Sequence, residues 1–475
     1  MSRALDDVIG RRELLRAFGA SAAVAALAPL ACGGRGRVGA VEPGAASASE
    51  LRAALRDAVT VLGDRLDRPR AWVLVRRRVR ALADVSRTEV VDEERTIAVL
   101  SGHGRDGERL ERCFDDVTPA RVRAIAAELA SAAAGPRREV AAAIPAPVDH
   151  GAPVEADPAR LAPAEWLTRV RALARRGEAA ASSRIVYRAA WLVTDDDRVW
   201  VVGEDGDRHQ RLVRSRVGTT FVAWHGSRPQ HGEAEVAGGF GPAVERLDDE
   251  AIARAAALAL ALFTPAPPAA GAHVVLLDPA VVAALVDAHA RGPTRAAPVA
   301  PAVAVVDDPT VAGYARLWFD DDGAPATVVP VVGGAAGAAG AAVAAGPRRR
   351  GGPAWRLAAA PAHLVVAPGT ATAVELEAGI HDGLVLEGVR DLAVDDAGVA
   401  LVRVGRGRQL QSGVRTGRQW GELEVRGAIA TILADATAAS REQVELAVGG
   451  DGPPRAVTAP WLLTHAHVSP GGGWT

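Results

Sequence analysis

The stretch His273–Gly292 reads HVVLLDPAVVAALVDAHARG, and its pattern of strand, turn and helix decides the fold of the surrounding chain. The run VVLL predicts a buried strand, and the Asp-Pro pair after it predicts a turn that opens a helix running to about His289. Enzymes often place catalytic side chains at such a junction, because a rigid strand end holds the first helical turn in position. Only three polar side chains lie on this helix, those of Asp287, His289 and Arg291, and they are the first candidates for a functional site.

The length and composition are those of a globular protein with two or three domains, each with its own core. The chain has 475 residues, of which 49% are hydrophobic and 24% are charged, and its formal net charge is −2. This balance gives no reason to expect nucleic acid or an anionic membrane surface as a partner. The sequence contains no Lys, so Schiff-base chemistry on a lysine is excluded.

Residues 1–40 are expected to be a targeting segment rather than part of the fold. Arg11 and Arg12 resemble a twin-arginine export signal, and the Ala-rich run 17–31 that follows is too short to span a bilayer. A small residue precedes Cys32, as in lipoprotein processing, which would make Cys32 a lipid anchor. Export implies a periplasmic or cell-envelope location. The alternative is an apolar N-terminal helix with a chance arginine pair.

Residues 50–135 are predicted to form an N-terminal α/β domain. Helical spacing runs through 50–66, strands are predicted at 72–75, 87–94, 96–101 and 108–114, and Thr118 and Pro119 start a helix. Residues 136–163, rich in Ala, Pro and Gly, are interpreted as a linker. The two cysteines, Cys32 and Cys113, cannot form a disulfide framework, and Cys113 is expected to fill the core.

Residues 164–270 are predicted to contain a helix followed by an antiparallel meander. Its strands are expected at 185–193, 199–204, 209–224 and 233–239, with the Asp triplet 195–197 and the sequence EDGD interpreted as hairpin turns. A long Ala/Leu helix over 248–263 then leads through a Pro-rich break to a C-terminal domain, 271–475. Three histidines in this region, at 209, 225 and 231, match no compact pattern of metal ligands.

Four sequence blocks, taken in order, are similar to those of the TldD/PmbA family. VVDDPT begins at Val305, FDDDGAPA at Phe319, VAPGTATAVEL at Val366 and TAPWLL at Thr458. Their order and spacing extend the resemblance over roughly residues 51–470. It implies an α+β fold of two domains: the N-terminal α/β domain, and a larger C-terminal domain rich in antiparallel β-sheet with inserted helices.

Catalytic members of this family resemble metallopeptidases that hold a metal with an HExxxH helix and a Cys near the carboxyl end. The resemblance places Val286 and Arg291 at the two His positions of that helix and Asp287 at the Glu position. No Cys follows Cys113, and a guanidinium at a ligand position repels a cation. The resemblance therefore implies a member without the metal ligands, so no cofactor is expected. Asp287 is the one candidate left for a catalytic role, and the alternative is an aspartate that faces solvent or pairs with an arginine.

A replacement metal site is the alternative. His465 and His467 lie on one face of a predicted strand, and this spacing can bind a metal such as zinc. Together with His289 or Asp287 they would hold zinc if the strand passed close to the helix. The competing interpretation is an ordinary terminal strand of the sheet.

Two charged segments outside this helix are expected to be solvated. The first is acidic and is interpreted as hairpin corners at Asp307, Asp308 and Asp320–Asp322. A calcium site is not expected there, because the calcium-binding loop with its glycine at a fixed position is absent. Arg348–Arg350 follow the Ala/Gly tract 333–346 and are interpreted as its solvated stem.

The resemblance therefore implies a non-catalytic subunit, and the N-terminal segment predicts that it is exported. By resemblance, it would pair with a TldD-like catalytic paralogue and help to admit an unfolded peptide. Two alternatives are left open: an active metallopeptidase with substituted ligands, and a stand-alone envelope binding lipoprotein. An intact paralogue encoded nearby would favour the subunit, whereas stoichiometric zinc would favour the enzyme.

Overall fold

The computed structural model describes residues 48–133, 144–151, 161–225, 228–239, 246–264, 266–292, 299–332, 347–351, 355–448 and 453–471. Arg11, Arg12 and Cys32 of the predicted export signal lie outside these residues, as does part of the predicted linker 136–163. The described chain has an α+β fold, as predicted, and most of its strands belong to two large sheets.

The first sheet has seven strands in the order β3-β2-β1-β5-β6-β4, with β7 also paired to β6. The strands are β1 (Asp67–Asp84), β2 (Thr88–His103), β3 (Arg109–Phe114), β4 (Pro147–Gly151), β5 (Ile185–Gly203), β6 (Gly206–His225) and β7 (Arg228–Gly238). Four helices pack on it: α1 (Ala48–Gly63), α2 (Pro119–Ala132), α3 (Pro163–Ala180) and α4 (Asp249–Leu260). They cover the face that includes Val73 and Val79 of β1, while Trp72, Leu74 and Arg76 point to the opposite face.

The second sheet has nine strands in the order β10-β9-β13-β18-β16-β15-β14-β8, with β17 also paired to β18. Because β8 pairs with both β14 and β18, the strands β18-β16-β15-β14-β8 close into a ring. The strands are β8 (Gly271–Leu277), β9 (Val305–Asp307), β10 (Val329–Val332), β13 (His363–Val366), β14 (Asp382–Val394), β15 (Val399–Gln411), β16 (Val414–Ala428), β17 (Ala438–Val448) and β18 (Arg455–Pro470). Helices α5 (Pro279–Arg291), α6 (Ala373–Ala378) and α7 (Ile429–Ala434) accompany them, and β11 (Arg348–Gly351) pairs with β12 (Arg356–Ala359) in a small separate sheet.

The pairing of β1 with β5 corrects the expected domain organisation. It runs from Arg70 opposite Gly203 to Asp84 opposite Ala189, so the segments 50–135 and 164–270 share one sheet. The expected division at 136–163 therefore falls within that sheet. Local composition marks a loop but carries no information about which distant strands pair across it.

The Asp triplet 195–197 lies in the middle of β5 and is not a turn. The three residues expose between 3% and 5% of their surface, and each carboxylate meets an arginine of a neighbouring strand. The EDGD turn is confirmed, since Gly203 pairs with Gly206 where β5 and β6 meet. Aspartate favours turns, but a cross-strand cation can satisfy it within a sheet.

Helix α5 and strand β8 form where the sequence predicts them. Asp278 caps the helix by accepting a hydrogen bond from the backbone N–H of Val281 at 2.9 Å. Its other carboxylate oxygen accepts from the N–H of Gly388 on β14 at 2.7 Å, and the φ of +69° at Gly388 turns that N–H towards the cap. The cap thus fixes the helix to the second sheet.

Candidate functional site

The candidate site is the last turn of α5, where the resemblance places a metal-binding motif. Val286 exposes 1% of its surface and belongs to the main core of the second sheet. Asp287 exposes 5% and His289 1%, whereas Arg291 lies at the exposed end of the helix. The four side chains therefore do not converge on an open cleft.

The carboxylate of Asp287 is held by two guanidinium groups. Arg455 of β18 donates from Nε to Oδ1 at 3.0 Å and from Nη2 to Oδ2 at 3.3 Å. Arg291, one helical turn away, donates from Nη2 to Oδ2 at 2.8 Å and from Nε at 3.1 Å. A carboxylate engaged in this way has few lone pairs left to take a proton from water, and two nearby cations repel a metal ion. The arrangement ties α5 to β18.

His289 is buried in the same turn. Neither ring nitrogen has a hydrogen-bond partner within the described part of the chain. Burial lowers the pKa of His289, so the imidazole is neutral at pH 7.

His465 and His467 lie on the opposite side of the sheet from α5. Both are exposed on β18, while the alternate residues Thr464, Ala466 and Val468 are buried. Ala466 and Val468 share the core of α5, and Thr464 donates to the carbonyl of Ile432 in α7 at 2.6 Å. Since successive side chains of a strand point to opposite faces, the sheet separates these two imidazoles from His289.

The residues at this position do not fit the metal that the resemblance implies for catalytic members. Two arginines surround the only carboxylate, and the candidate histidines lie on different faces of the sheet. Among the residues with described positions, no group of three or more His, Cys, Asp or Glu side chains could hold one metal ion. Cys113 lies far from α5 in sequence and is exposed on β3 rather than filling the core, because β3 is the edge strand of the first sheet.

The structure pairs two charged triplets that the sequence did not predict to lie side by side. Three consecutive arginines of β1, Arg76–Arg78, lie opposite the triplet Asp195–Asp197 of β5 in register. Nε of Arg76 donates to Asp197 at 2.6 Å, and Nε of Arg78 donates to Asp195 at the same distance. The available signal for this pairing was a pair of triplets of opposite charge, one directly after the predicted strand 72–75 and the other between the predicted strands 185–193 and 199–204.

The acidic residues expected in solvated turns are in part buried. Asp307, Asp320 and Asp321 expose only 1%, 5% and 8% of their surface. The backbone N–H of His363 donates to Asp307 at 2.8 Å, and that of Arg350 donates to Asp321 at 2.7 Å. The prediction of solvated corners was wrong for these three residues, because backbone N–H groups replace water as donors.

Asp307 makes the stability depend on pH. Burial raises its pKa to about 6, although the N–H groups of His363 and Ala362 partly offset that rise. The folded chain therefore holds a proton that the unfolded chain has released between pH about 4 and 6, so stability falls as the pH rises through this window. We expect Asp307→Asn to remove this loss of stability, which amounts to about 2–3 kcal/mol over the whole window.

Urea unfolding of the wild type and the variant at several pH values between 4 and 7 measures this loss. Burial raises the pKa of Asp278 to about 6 as well, and both proteins keep this pH dependence. The contribution of Asp307 is therefore the difference between the two curves of stability against pH. Parallel pH curves would contradict the assignment to Asp307.

No helix in the described ranges is both long and apolar enough to cross a membrane.

Comparison with known proteins identifies the fold. No family model and no curated protein matches the sequence. TldE from Thermococcus kodakarensis superposes with a TM-score of 0.67 at 14% identity, over 88% of this chain and 100% of that one. A protein described as a modulator of DNA gyrase from Thermotoga maritima gives 0.62 at 15% identity, over 85% and 96% of the two chains. Another from Bacteroides thetaiotaomicron gives 0.64 at 12% identity, over 88% and 98%. The resemblance predicted from the sequence blocks is confirmed in the architecture: this chain has the TldD/TldE fold.

Proposed function

We propose that this chain is the non-catalytic subunit of a peptide-cleaving pair whose partner is a TldD-like chain with an intact HExxxH helix. One observation carries the proposal: where a metallopeptidase of this fold needs a free base beside a metal, Asp287 is bound by Arg455 and Arg291. The burial of Val286 at a ligand position supports it as well. In such a pair this chain contributes the wall of a shared chamber that admits an unfolded peptide, and the partner contributes the chemistry.

The pairing is tested by co-expression with a paralogue that carries HExxxH and is encoded in the same genome. We expect the two chains to elute together and to cleave a fluorogenic unstructured peptide. Replacement of the partner's motif Glu by Gln should abolish cleavage. Recovery of this chain alone, with full activity in the isolated paralogue, would contradict the proposal and favour a stand-alone binding protein.

Metal content separates this proposal from an enzyme with substituted ligands. The purified chain is expected to hold less than about a tenth of an equivalent of zinc, since a stable site needs at least three converging ligands. The double variant His465→Ala/His467→Ala should leave both the zinc content and the activity of the pair unchanged. Its substitutions lie on exposed positions of β18 and should not disturb the core. Stoichiometric zinc that this variant loses would establish the substituted metallopeptidase instead.

The proposal also locates the pair in the periplasm or cell envelope, with Cys32 as its lipid anchor. Residues 1–40 fused to a reporter should direct it out of the cytoplasm, and Arg11→Lys/Arg12→Lys should retain it inside. Cys32→Ala should release the exported protein from the membrane fraction. Equal export of the reporter with and without the arginine pair would refute this part.

A further inference from the structure

A small cavity lies between strand β11 and the face of the first sheet that is opposite the four helices. It has a volume of about 40 Å³, and its wall includes Trp72 of β1, Arg214 of β6, Arg349 and Arg350 of β11, and Asp321. Arg349 and Arg350 were expected on a solvated stem. Instead they expose 5% and 2% of their surface, because β11 packs against the first sheet.

Three arginines of this wall have a buried Nε atom. The Nε atoms of Arg214, Arg349 and Arg350 are buried, and none has a hydrogen-bond partner among the residues whose positions are described. Arg214 exposes only 2% of its surface. A guanidinium in water forms hydrogen bonds through all of its N–H groups, so three buried and unpartnered Nε atoms around one cavity are energetically costly without a ligand.

Arg349 is the least compensated of the three. Its nearest carboxylate oxygen, Oδ2 of Asp321, lies 3.7 Å from Nε and already accepts the backbone N–H of Arg350. Its Nη1 reaches the carbonyl of Pro454 at 3.5 Å. Burial lowers the pKa of Arg349, and the charge of Asp321 offsets only part of that effect.

The wall as a whole carries excess positive charge. Four guanidinium groups line it, those of Arg76, Arg214, Arg349 and Arg350, against the two carboxylates of Asp197 and Asp321. Both carboxylates are engaged: Asp197 accepts from Arg76 and Arg214, and Asp321 accepts from Trp72 as well as from β11. Outside the wall, Glu111 accepts from Nη1 of Arg350 at 3.1 Å, and the charge of Asp307 also acts on Arg349.

We propose that this cavity is a binding site for a small oxyanion, a carboxylate or a phosphate, held by Arg349 with Arg350 and Arg214. A water molecule needs about 10–15 Å³ of such space, so the cavity accommodates roughly three waters or one small anion. Guanidinium groups suit carboxylate and phosphate oxygens in both charge and geometry. Arg350 is held in place by the ring of Trp72, whose centroid lies 5.5 Å from the guanidinium carbon. The site does not depend on a catalytic partner or on the function proposed above.

The test uses the full chain with sodium phosphate and, separately, sodium acetate, each compared with sodium chloride at equal ionic strength. Isothermal calorimetry and thermal unfolding report binding, because a ligand that binds the native state raises the melting temperature. Arg349→Met should weaken oxyanion binding about 10- to 100-fold, the value of one charge-assisted hydrogen bond. It should also raise the melting temperature in chloride, since it removes a buried charge whose burial its neighbours offset only in part; a purely structural arginine would do the opposite.

Arg348→Met is the matched control. Arg348 is the neighbouring residue of β11, its side chain is 47% exposed, and it pairs with Asp322 rather than lining the cavity. Saturable binding that Arg349→Met weakens and Arg348→Met preserves supports the site, and the anion that binds identifies the source as carboxylate or phosphate. Binding of neither anion, or equal loss in both variants, overturns it. If Arg349→Met does not fold, Arg349→Gln serves in the same comparison.

Discussion

Asp197→Asn is expected to lower the free energy of unfolding by about 3–5 kcal/mol, because breaking a buried ion pair leaves its cations uncompensated. Asp197 exposes 3% of its surface. It accepts hydrogen bonds from Nε and Nη2 of Arg76 at 2.6 and 2.8 Å and from Nη1 of Arg214 at 2.7 Å. Asparagine keeps the shape but not the charge, and its amide nitrogen would face a guanidinium. Urea unfolding at pH 7 measures the difference.

Asp92→Asn is the control for this variant. Asp92 pairs with Arg77 of the same sheet at 2.6 Å, but its side chain is 32% exposed. An exposed pair contributes less than about 1 kcal/mol, because water competes for both ions. Equal losses in the two variants would show that burial of the ion pairs of Asp197 does not determine how much they stabilise the protein.

The pH dependence of Asp197 gives a second measurement. Burial alone would raise its pKa, but the charges of Arg76 and Arg214 outweigh burial and lower the pKa to about 2. The folded carboxylate therefore stabilises the protein fully above pH about 4, and this contribution is lost as the pH falls towards 2. Asp197→Asn should lack this acid-dependent loss.

The elements that the sequence predicted well are those with local signals. Thr118 accepts the N–H of Arg121 at 3.1 Å and Pro119 begins α2, as the capping pattern indicated. Helix α5 likewise begins at the predicted Asp-Pro pair and ends at Arg291, near the predicted end at His289. Caps, prolines and apolar periodicity act over a few residues, so a single sequence contains all the information they need.

The features that the sequence did not predict depend on distant partners. The triplet Asp195–Asp197 has the composition of a turn, and only the arginines of β1 make it part of a strand. In the same way, the resemblance aligned α5 with the metal-binding helix and so predicted that the metal ligands are missing. It did not predict that Arg455, 168 positions away, would form an ion pair with Asp287. The strand conformation of the triplet and the ion pair of Asp287 both depend on contacts between remote segments. The composition of either segment alone does not predict such contacts.

Asp287→Asn is expected to lower the free energy of unfolding by roughly 3 kcal/mol, because it leaves Arg455 buried beside a neutral amide. Arg455 exposes 9% of its surface. Arg455→Met should be similarly destabilising, since Asp287 then keeps only the pair with Arg291. The double variant should lose less than the sum of the two single losses, by about 1–3 kcal/mol, as expected for two residues in direct contact.

Arg291→Ala is the matched control for this cycle. Its side chain is 47% exposed although it contacts the same carboxylate at 2.8 Å, so we expect a loss below about 1 kcal/mol. Additive losses for Asp287 and Arg455 would mean that the pair does not fasten α5 to β18. A strongly coupled pair would instead mean that this position, which needs a free base in a metallopeptidase, serves in this chain to hold a helix against its sheet.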